Sequence, residues 1–281
     1  MDYGRQEKNP HGEELLERAR GELTGRMSVK PRAALILGSG LSPVAEALRD
    51  AVTVPYSEIP GMAGGTVAGH RHQLVAGVLE TVPVLCFAGR LHYYEGHDIH
   101  QVTYPVRLAA ALGARTLVLT NASGSLREEI VPGSFVILRD HLHLMGANPL
   151  RGDPVSGRTH HFVPLAGAYD ASLRRLATEE AAGRGLNVRE GVYVGVAGPS
   201  YETAAEVRAY AALGGDIIGM STTPEVIEAR GLELRVLALS AVTNSAGQRA
   251  ADGHAEVLRT AQSMTEDFVA WLRGIVARLE V

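Results

Sequence analysis

The feature that most limits how this chain can fold is a recurrence of short apolar runs, at residues 33–37, 74–78, 84–87, 116–120, 135–138, 192–196 and 236–242. Several are too short for a buried helix and rich in β-branched side chains, so they read as core strands. Helix-like segments lie between them, at 12–26, 43–49, 102–112, 171–182, 204–213 and 254–279. Strands alternating with helices imply an α/β fold with a central mixed β-sheet flanked by helices. A length of 281 residues allows one large domain or two smaller ones. No repeat, low-complexity tract or linker divides the chain. The expectation is therefore one domain over residues 1–281, with 1–30 as an N-terminal helical extension lying on the surface. The stretch 146–168, rich in Gly, Pro and His, reads as a long ordered loop, and loops of that length in compact domains are often functional.

Charge and cysteine content exclude several classes of function. A formal net charge of −4 argues against a general nucleic-acid surface, which would be basic. The single cysteine, Cys86, sits in an apolar run, so an intramolecular disulfide and a paired-cysteine metal site are both ruled out. The N-terminus is too polar for a signal peptide, and no apolar stretch reaches the roughly 18 residues of a membrane span. A cytoplasmic protein with no membrane partner is expected. Eleven histidines invite a metal reading, with His141, His143, His160 and His161 the best candidates, but they lack a HExxH pattern or an acidic ligand in a recognisable arrangement. No Gly-x-Ser-x-Gly nucleophile elbow appears either.

Most of the suspicious polar clusters follow an expected strand, where α/β sheets place their ligands. Gly38-Ser39-Gly40 precedes a helix and can turn backbone N–H groups and the Ser39 hydroxyl to an anion, although it also reads as a plain glycine turn. In Gly89-Arg-Leu-His-Tyr-Tyr-Glu-Gly96, Arg90 and His92 stand two apart and can clamp a phosphate from one side of an extended segment. His70 is a further anion candidate. Gly219-Met-Ser221-Thr-Thr-Pro-Glu225 adds a hydroxyl at the start of a helix, with Pro224 and Glu225 suited to its first turn. Met220 beside it can lie under a sugar or pack in the core. Two further stretches, Gly198-Pro-Ser-Tyr-Glu202-Thr and Ser240-Ala-Val-Thr-Asn244, supply a carboxylate and a carboxamide. A carboxylate only accepts hydrogen bonds, whereas a carboxamide both donates and accepts. Together they fit a 6-oxopurine, which offers N–H groups on one edge and a carbonyl plus a ring nitrogen on the other. Adenine lacks the N1 hydrogen and would face carboxylate lone pairs.

With these pieces in one order, the chain resembles the purine nucleoside phosphorylases of the homotrimeric, 6-oxopurine-preferring kind, from about Leu35 to the C-terminal helix. Besides the stretches above, Thr120-Asn-Ala122, Arg139-Asp-His141 and Asn148-Pro-Leu-Arg-Gly152 carry the resemblance. It implies that Ser39, His70, Arg90, His92, Ser221 and the Ala122 backbone N–H hold phosphate. Tyr94, Met220 and His254 would contact the ribose, and Phe162 would reach into a neighbouring subunit's ribose site. Tyr201, Glu202 and Asn244 would line the base site, with Asn244, Glu202 and His92 as the catalytic set. Three positions depart from the pattern: Tyr201 stands for a common phenylalanine, Ser123 for an alanine and Thr223 for a frequent valine.

The resemblance further implies reversible phosphorolysis of inosine, guanosine and their 2′-deoxy forms to free purine and (deoxy)ribose 1-phosphate. Phosphate is then a co-substrate, and no metal or organic cofactor is required. Two alternatives remain at this stage. A 5′-methylthioadenosine phosphorylase would need a 6-amino reader, for which aspartate at position 244 would serve better. A non-catalytic nucleoside sensor would bind without turnover.

Overall fold

The computed structural model describes residues 10–38, 40–65, 71–152, 162–247 and 254–279, and only the backbone of residues 10, 11 and 254–258. In chain order its elements are α1 (Pro10–Arg26), β1 (Ala33–Ile36), α2 (Pro43–Glu46), β2 (Arg49–Pro55), β3 (Gln73–Leu79) and β4 (Val82–Ala88). There follow α3 (Ile99–Val102), α4 (Tyr104–Ala111), β5 (Thr116–Ser125), β6 (Phe135–Leu144), α5 (Ala171–Arg184) and β7 (Val188–Val196). The chain continues through α6 (Ala204–Ala212), β8 (Ile217–Gly219), α7 (Thr223–Gly231), β9 (Arg235–Ser245), α8 (His254–Ser263) and α9 (Thr265–Ala277).

One mixed nine-stranded sheet, in the order β2-β3-β4-β1-β5-β8-β7-β6-β9, organises the fold. Strand β1 is parallel to both β4 and β5 and is buried on both faces, as parallel strands generally are. Its side chains alternate in the pleat: Ala34 and Ile36 enter one core, Ala33 and Leu35 the other. The first core takes Ala19 and Leu23 of α1, Val106 and Leu108 of α4, and Val226 and Ala229 of α7. The N-terminal helix thus buries one face rather than lying wholly on the surface. The second core takes Leu173 and Ala177 of α5 with Phe268, Trp271, Leu272 and Ile275 of α9. Trp271 is fully buried, and its indole N–H donates to the Ala177 carbonyl at 2.9 Å.

Strand β5 is the hinge of this topology. It runs parallel to β9 along its length, yet its last residues, Gly124 and Ser125, pair antiparallel with Ile218 and Ile217 of β8. Because β9 also pairs with β6, the strands β5, β8, β7, β6 and β9 close into a ring. That closure brings the turn after β8 against the end of β5. Register shifts between Ser123 and Gly124, where Val242 and Asn244 are the successive partners, leaving Thr243 as the extra residue of a bulge. Bulges re-aim side chains, and this one sits beside the cleft described next.

The structure differs from the sequence expectation in detail. Residues 43–49 hold a single helical turn and then enter β2, while 102–112 and 254–279 are each divided between two helices. The middle of the expected long loop, 153–161, lies outside the described residues.

Candidate active site

The C-terminal parts of β5 and β9, the end of β8 and the turn after it, the segment following β4 and the loop between β7 and α6 line one cleft. Of the residues singled out in the sequence, Arg90, His92, Ala122 and Ser221 line it, as do Tyr94 and Met220. Tyr201, Glu202 and Asn244 complete its wall. Phe162 does not line this cleft and stands 93% exposed. Ser39 and His70 lie outside the described residues, and His254 opens α8 with its side chain likewise undescribed. Among the described residues, no group of three or more His, Cys, Asp or Glu is placed to hold a metal.

Arg90 is not a solvated clamp but a fixed one. It is 2% exposed, its Nε donates to Glu225 Oε1 at 2.7 Å, and its Nη1 donates to the Thr120 carbonyl at 2.6 Å. His92 is held by Glu95, whose Oε1 accepts from the His92 backbone N–H at 2.9 Å and lies 3.0 Å from Nδ1. Since a carboxylate accepts only, Nδ1 carries the proton and Nε2 is the acceptor of the neutral ring. Burial pushes the His92 imidazole below the usual histidine value; Glu95 opposes that shift and Arg90 adds to it. Tyr94 stacks on His92, with ring centres 4.7 Å apart and 19° between planes.

Ser221 reaches the cleft from a tight turn at the end of β8, its hydroxyl 3.0 Å from that of Thr222. Asn121, within β5, donates through Nδ2 to Thr222 Oγ1 at 2.9 Å, so the ring closure ties β5 directly to the turn after β8. Gly198, at φ +65°, is a position where side chains are strained, and a Cβ there would strike the Met220 sulfur. A side chain here would have to push the Met220 side chain aside, so glycine suits the turn that leads to Tyr201 and Glu202.

Elsewhere in the cleft, Asn244 has a hydroxyl of its neighbour within reach. The Thr243 hydroxyl, in reach of the Ser123 carbonyl at 3.2 Å, lies 3.1 Å from Asn244 Oδ1 and can donate there. With the oxygen engaged in this way, Nδ2 remains to donate into the cleft. Gly124 leaves room for it, since a Cβ there would come within 3.2 Å of Nδ2. Burial raises the half-buried Glu202 carboxyl above the ordinary carboxylate value, its own backbone N–H opposing the shift and Glu206 adding to it. The Ser123 hydroxyl is buried and accepts from Ser240 at 2.7 Å, so the departure noted at this position is tied into the sheet.

Residues 32–277 match the family model described as Phosphorylase superfamily. Over 266 residues the chain is 42% identical to purine nucleoside phosphorylase 1 of Geobacillus stearothermophilus, covering 94% of this chain and 97% of that protein. This chain belongs to the purine nucleoside phosphorylases. A solved purine nucleoside phosphorylase from Schistosoma mansoni in complex with inosine has a TM-score of 0.89 and 36% identity, covering 95% of this chain and 97% of that one. A second, from the same organism and in complex with adenosine, has the same TM-score and 35% identity, covering 95% and 98%. As a purine nucleoside phosphorylase the chain carries out phosphorolysis of the glycosidic bond.

Sequence reasoning had not singled out Thr243, Asn121 or Glu95, nor seen in Glu225 more than a first-turn residue. Only Glu225 left a usable signal, because Thr222-Thr-Pro-Glu225 is a capping-box pattern. The others are polar residues whose partners come from the bulge, the strand closure or a short turn.

Proposed function

We propose that this phosphorylase prefers 6-oxopurine nucleosides, namely inosine, guanosine and their 2′-deoxy forms, acting as one phosphorylase domain per chain within a homotrimer in the cytoplasm. Phosphate is held by Ser39, His70, Arg90, His92, Ser221 and the Ala122 N–H. Ribose lies against Tyr94, Met220 and His254, with Phe162 supplied by a neighbouring subunit. The base stacks on Tyr201 between the hydrogen-bonding groups of Glu202 and Asn244. As the C1′–N9 bond breaks, its electron pair leaves with the purine and positive charge grows on the sugar. A phosphate oxygen attacks C1′ from the opposite face and forms the new C–O bond. Asn244 Nδ2 donates toward N7 and O6, where negative charge develops, while Glu202 accepts from N1–H. Groups placed in advance of the reaction act by orientation and electrostatics without reorganising.

The observation that carries the preference is the pairing, in one cleft, of the Glu202 carboxylate with a carboxamide whose oxygen Thr243 can engage. A 6-amino group would meet Nδ2 donor to donor, and N1 without hydrogen would meet carboxylate lone pairs. A site built to hydrogen-bond a substrate N–H rejects an analogue lacking it by roughly 10⁴–10⁵. Because a related enzyme has been solved with adenosine, turnover rather than occupancy is the discriminating measurement. Base release from inosine and adenosine, each with and without phosphate, tests the reading. Phosphate-dependent cleavage of inosine with little from adenosine is expected; comparable rates on both would overturn the preference.

A further inference from the structure

We propose that Glu225 is the positioning residue of the phosphate side of the cleft, its two carboxylate oxygens joining the Arg90 guanidinium to the backbone of the Ser221-Thr222 turn. The inference rests on the proposed phosphate roles of Arg90 and Ser221. Glu225 is 1% exposed. Oε1 accepts from Arg90 Nε at 2.7 Å, and Oε2 accepts from the Thr222 backbone N–H at 2.8 Å. With Nη1 held by the Thr120 carbonyl, two donors of the planar guanidinium are pinned, which fixes the plane in which the others project. One carboxylate thereby sets the direction of a cation and the place of a hydroxyl that come from strands far apart in sequence.

The turn it holds needs holding. Thr222, β-branched, sits at φ +70° and ψ −51°, and Thr223 N–H donates to the Ser221 carbonyl at 2.7 Å, closing a three-residue turn of the rare, strained kind. Such a backbone persists only where its surroundings over-determine it. Here they do so through Glu225 Oε2 on the Thr222 N–H and Asn121 Nδ2 on the Thr222 hydroxyl. Asn121 Oδ1 is buried with no hydrogen-bond partner among the described residues, so the carboxamide's visible role is to hold the turn. Releasing the Thr222 N–H frees the turn to relax and carry Ser221 with it.

The same helix supplies a control. Glu228, one turn further along α7 and equally buried, pairs with Arg107 at 3.0 Å but does not line the cleft, nor does Arg107. A purely structural carboxylate at 225 would behave as Glu228 does, affecting stability alone. The test compares wild type, Glu225→Gln, Glu225→Asp and Glu228→Gln by initial rates with phosphate varied at saturating inosine, and the converse. Thermal midpoints are measured alongside. Glu225→Asp keeps the charge beside Arg90 but is one methylene too short to span both partners, so it answers if Glu225→Gln does not fold. Misplacement of about 1 Å can cost roughly 10²-fold, so the phosphate KM should rise roughly 10- to 100-fold in the folded Glu225 variants with the inosine KM little changed. Glu228→Gln should lower the midpoint without that split. A folded Glu225→Asp with an unchanged phosphate KM, or with both KM values raised alike, overturns the inference. Wild type without phosphate-dependent turnover would instead overturn the proposed function, which separates the two failures.

Discussion

Asn244 can discriminate at O6 only while its amide nitrogen, and not its oxygen, faces the purine, and the Thr243 hydroxyl is the group placed to enforce that. A net hydrogen bond is worth about 1 kcal/mol. Thr243→Val should therefore lower kcat/KM for inosine roughly five- to tenfold and narrow the inosine-to-adenosine ratio, because a carboxamide free to turn can also accept. An unchanged ratio would remove Thr243 from the specificity argument. Asn244→Ala removes the donor itself, and a loss on the order of 10²–10³ in kcat is expected, read in the same assay. Glu202 adds a pH signature. Its carboxyl is raised by burial, so its ionised form is disfavoured in the folded protein. Such a group contributes stability below its unfolded pKa and loses that contribution as pH rises through the folded value. At neutral pH Glu202 thus weighs against stability, and with the base-binding role proposed for it, Glu202→Gln should raise the thermal midpoint slightly as turnover falls. Since kcat/KM reports the free enzyme, its acid limb should lie above the ordinary glutamate value of about 4.3. His92, whose imidazole burial lowers from its ordinary value, is a second group able to contribute to an acid limb, so Glu202→Gln should simplify the limb rather than abolish it. A limb identical to that of wild type would refute the assignment to Glu202.

At the scale of elements, the runs of apolar residues that mark β1, β4, β5 and β9 are legible in the sequence because these strands are buried on both faces. Strand β2, mostly exposed, and the three-residue β8 carry no such pattern and went unread. The proposed site residues were legible because Arg90 and His92 stand in a motif just beyond β4, Glu202 in one on the loop after β7, and Asn244 in one at the end of β9. Their supports were not. The bulge at Thr243 depends on the register of β5 against β9, and the contact of Asn121 with Thr222 depends on β8 crossing the end of β5. Both are pairings between strands far apart in sequence, for which local propensity holds no information. Helices α5 and α9 support this sheet from below through Trp271, packed with Phe135 and Phe268 at ring-centre distances of 5.5 and 5.8 Å. Trp271→Ala should cost about 3–5 kcal/mol in urea unfolding, with the inosine KM of the folded fraction little changed. A variant of unaltered stability would mean that the α5–α9 layer contributes little to holding the sheet.

For the whole molecule, Phe162 is the residue that a single subunit leaves unexplained. A phenylalanine 93% exposed forgoes the burial that normally places aromatic side chains inside a fold, and it does not line its own subunit's cleft. In the proposed trimer it closes the ribose site of a neighbour, and this makes the oligomer testable by complementation. Phe162→Ala keeps its own base and phosphate groups and lacks only what it would give a neighbour. Asn244→Ala keeps Phe162 but cannot turn over substrate rapidly in its own cleft. Each variant alone should be impaired, the first chiefly in nucleoside KM and the second chiefly in kcat. When the two are mixed and subunits allowed to exchange, an intact cleft can form wherever a Phe162→Ala subunit receives Phe162 from an Asn244→Ala neighbour. Activity at low inosine should then exceed the sum of the separate variants, and sedimentation should give the mass of three chains. Strict additivity after demonstrated exchange would place Phe162 outside the neighbour's site, even if the trimer itself were found.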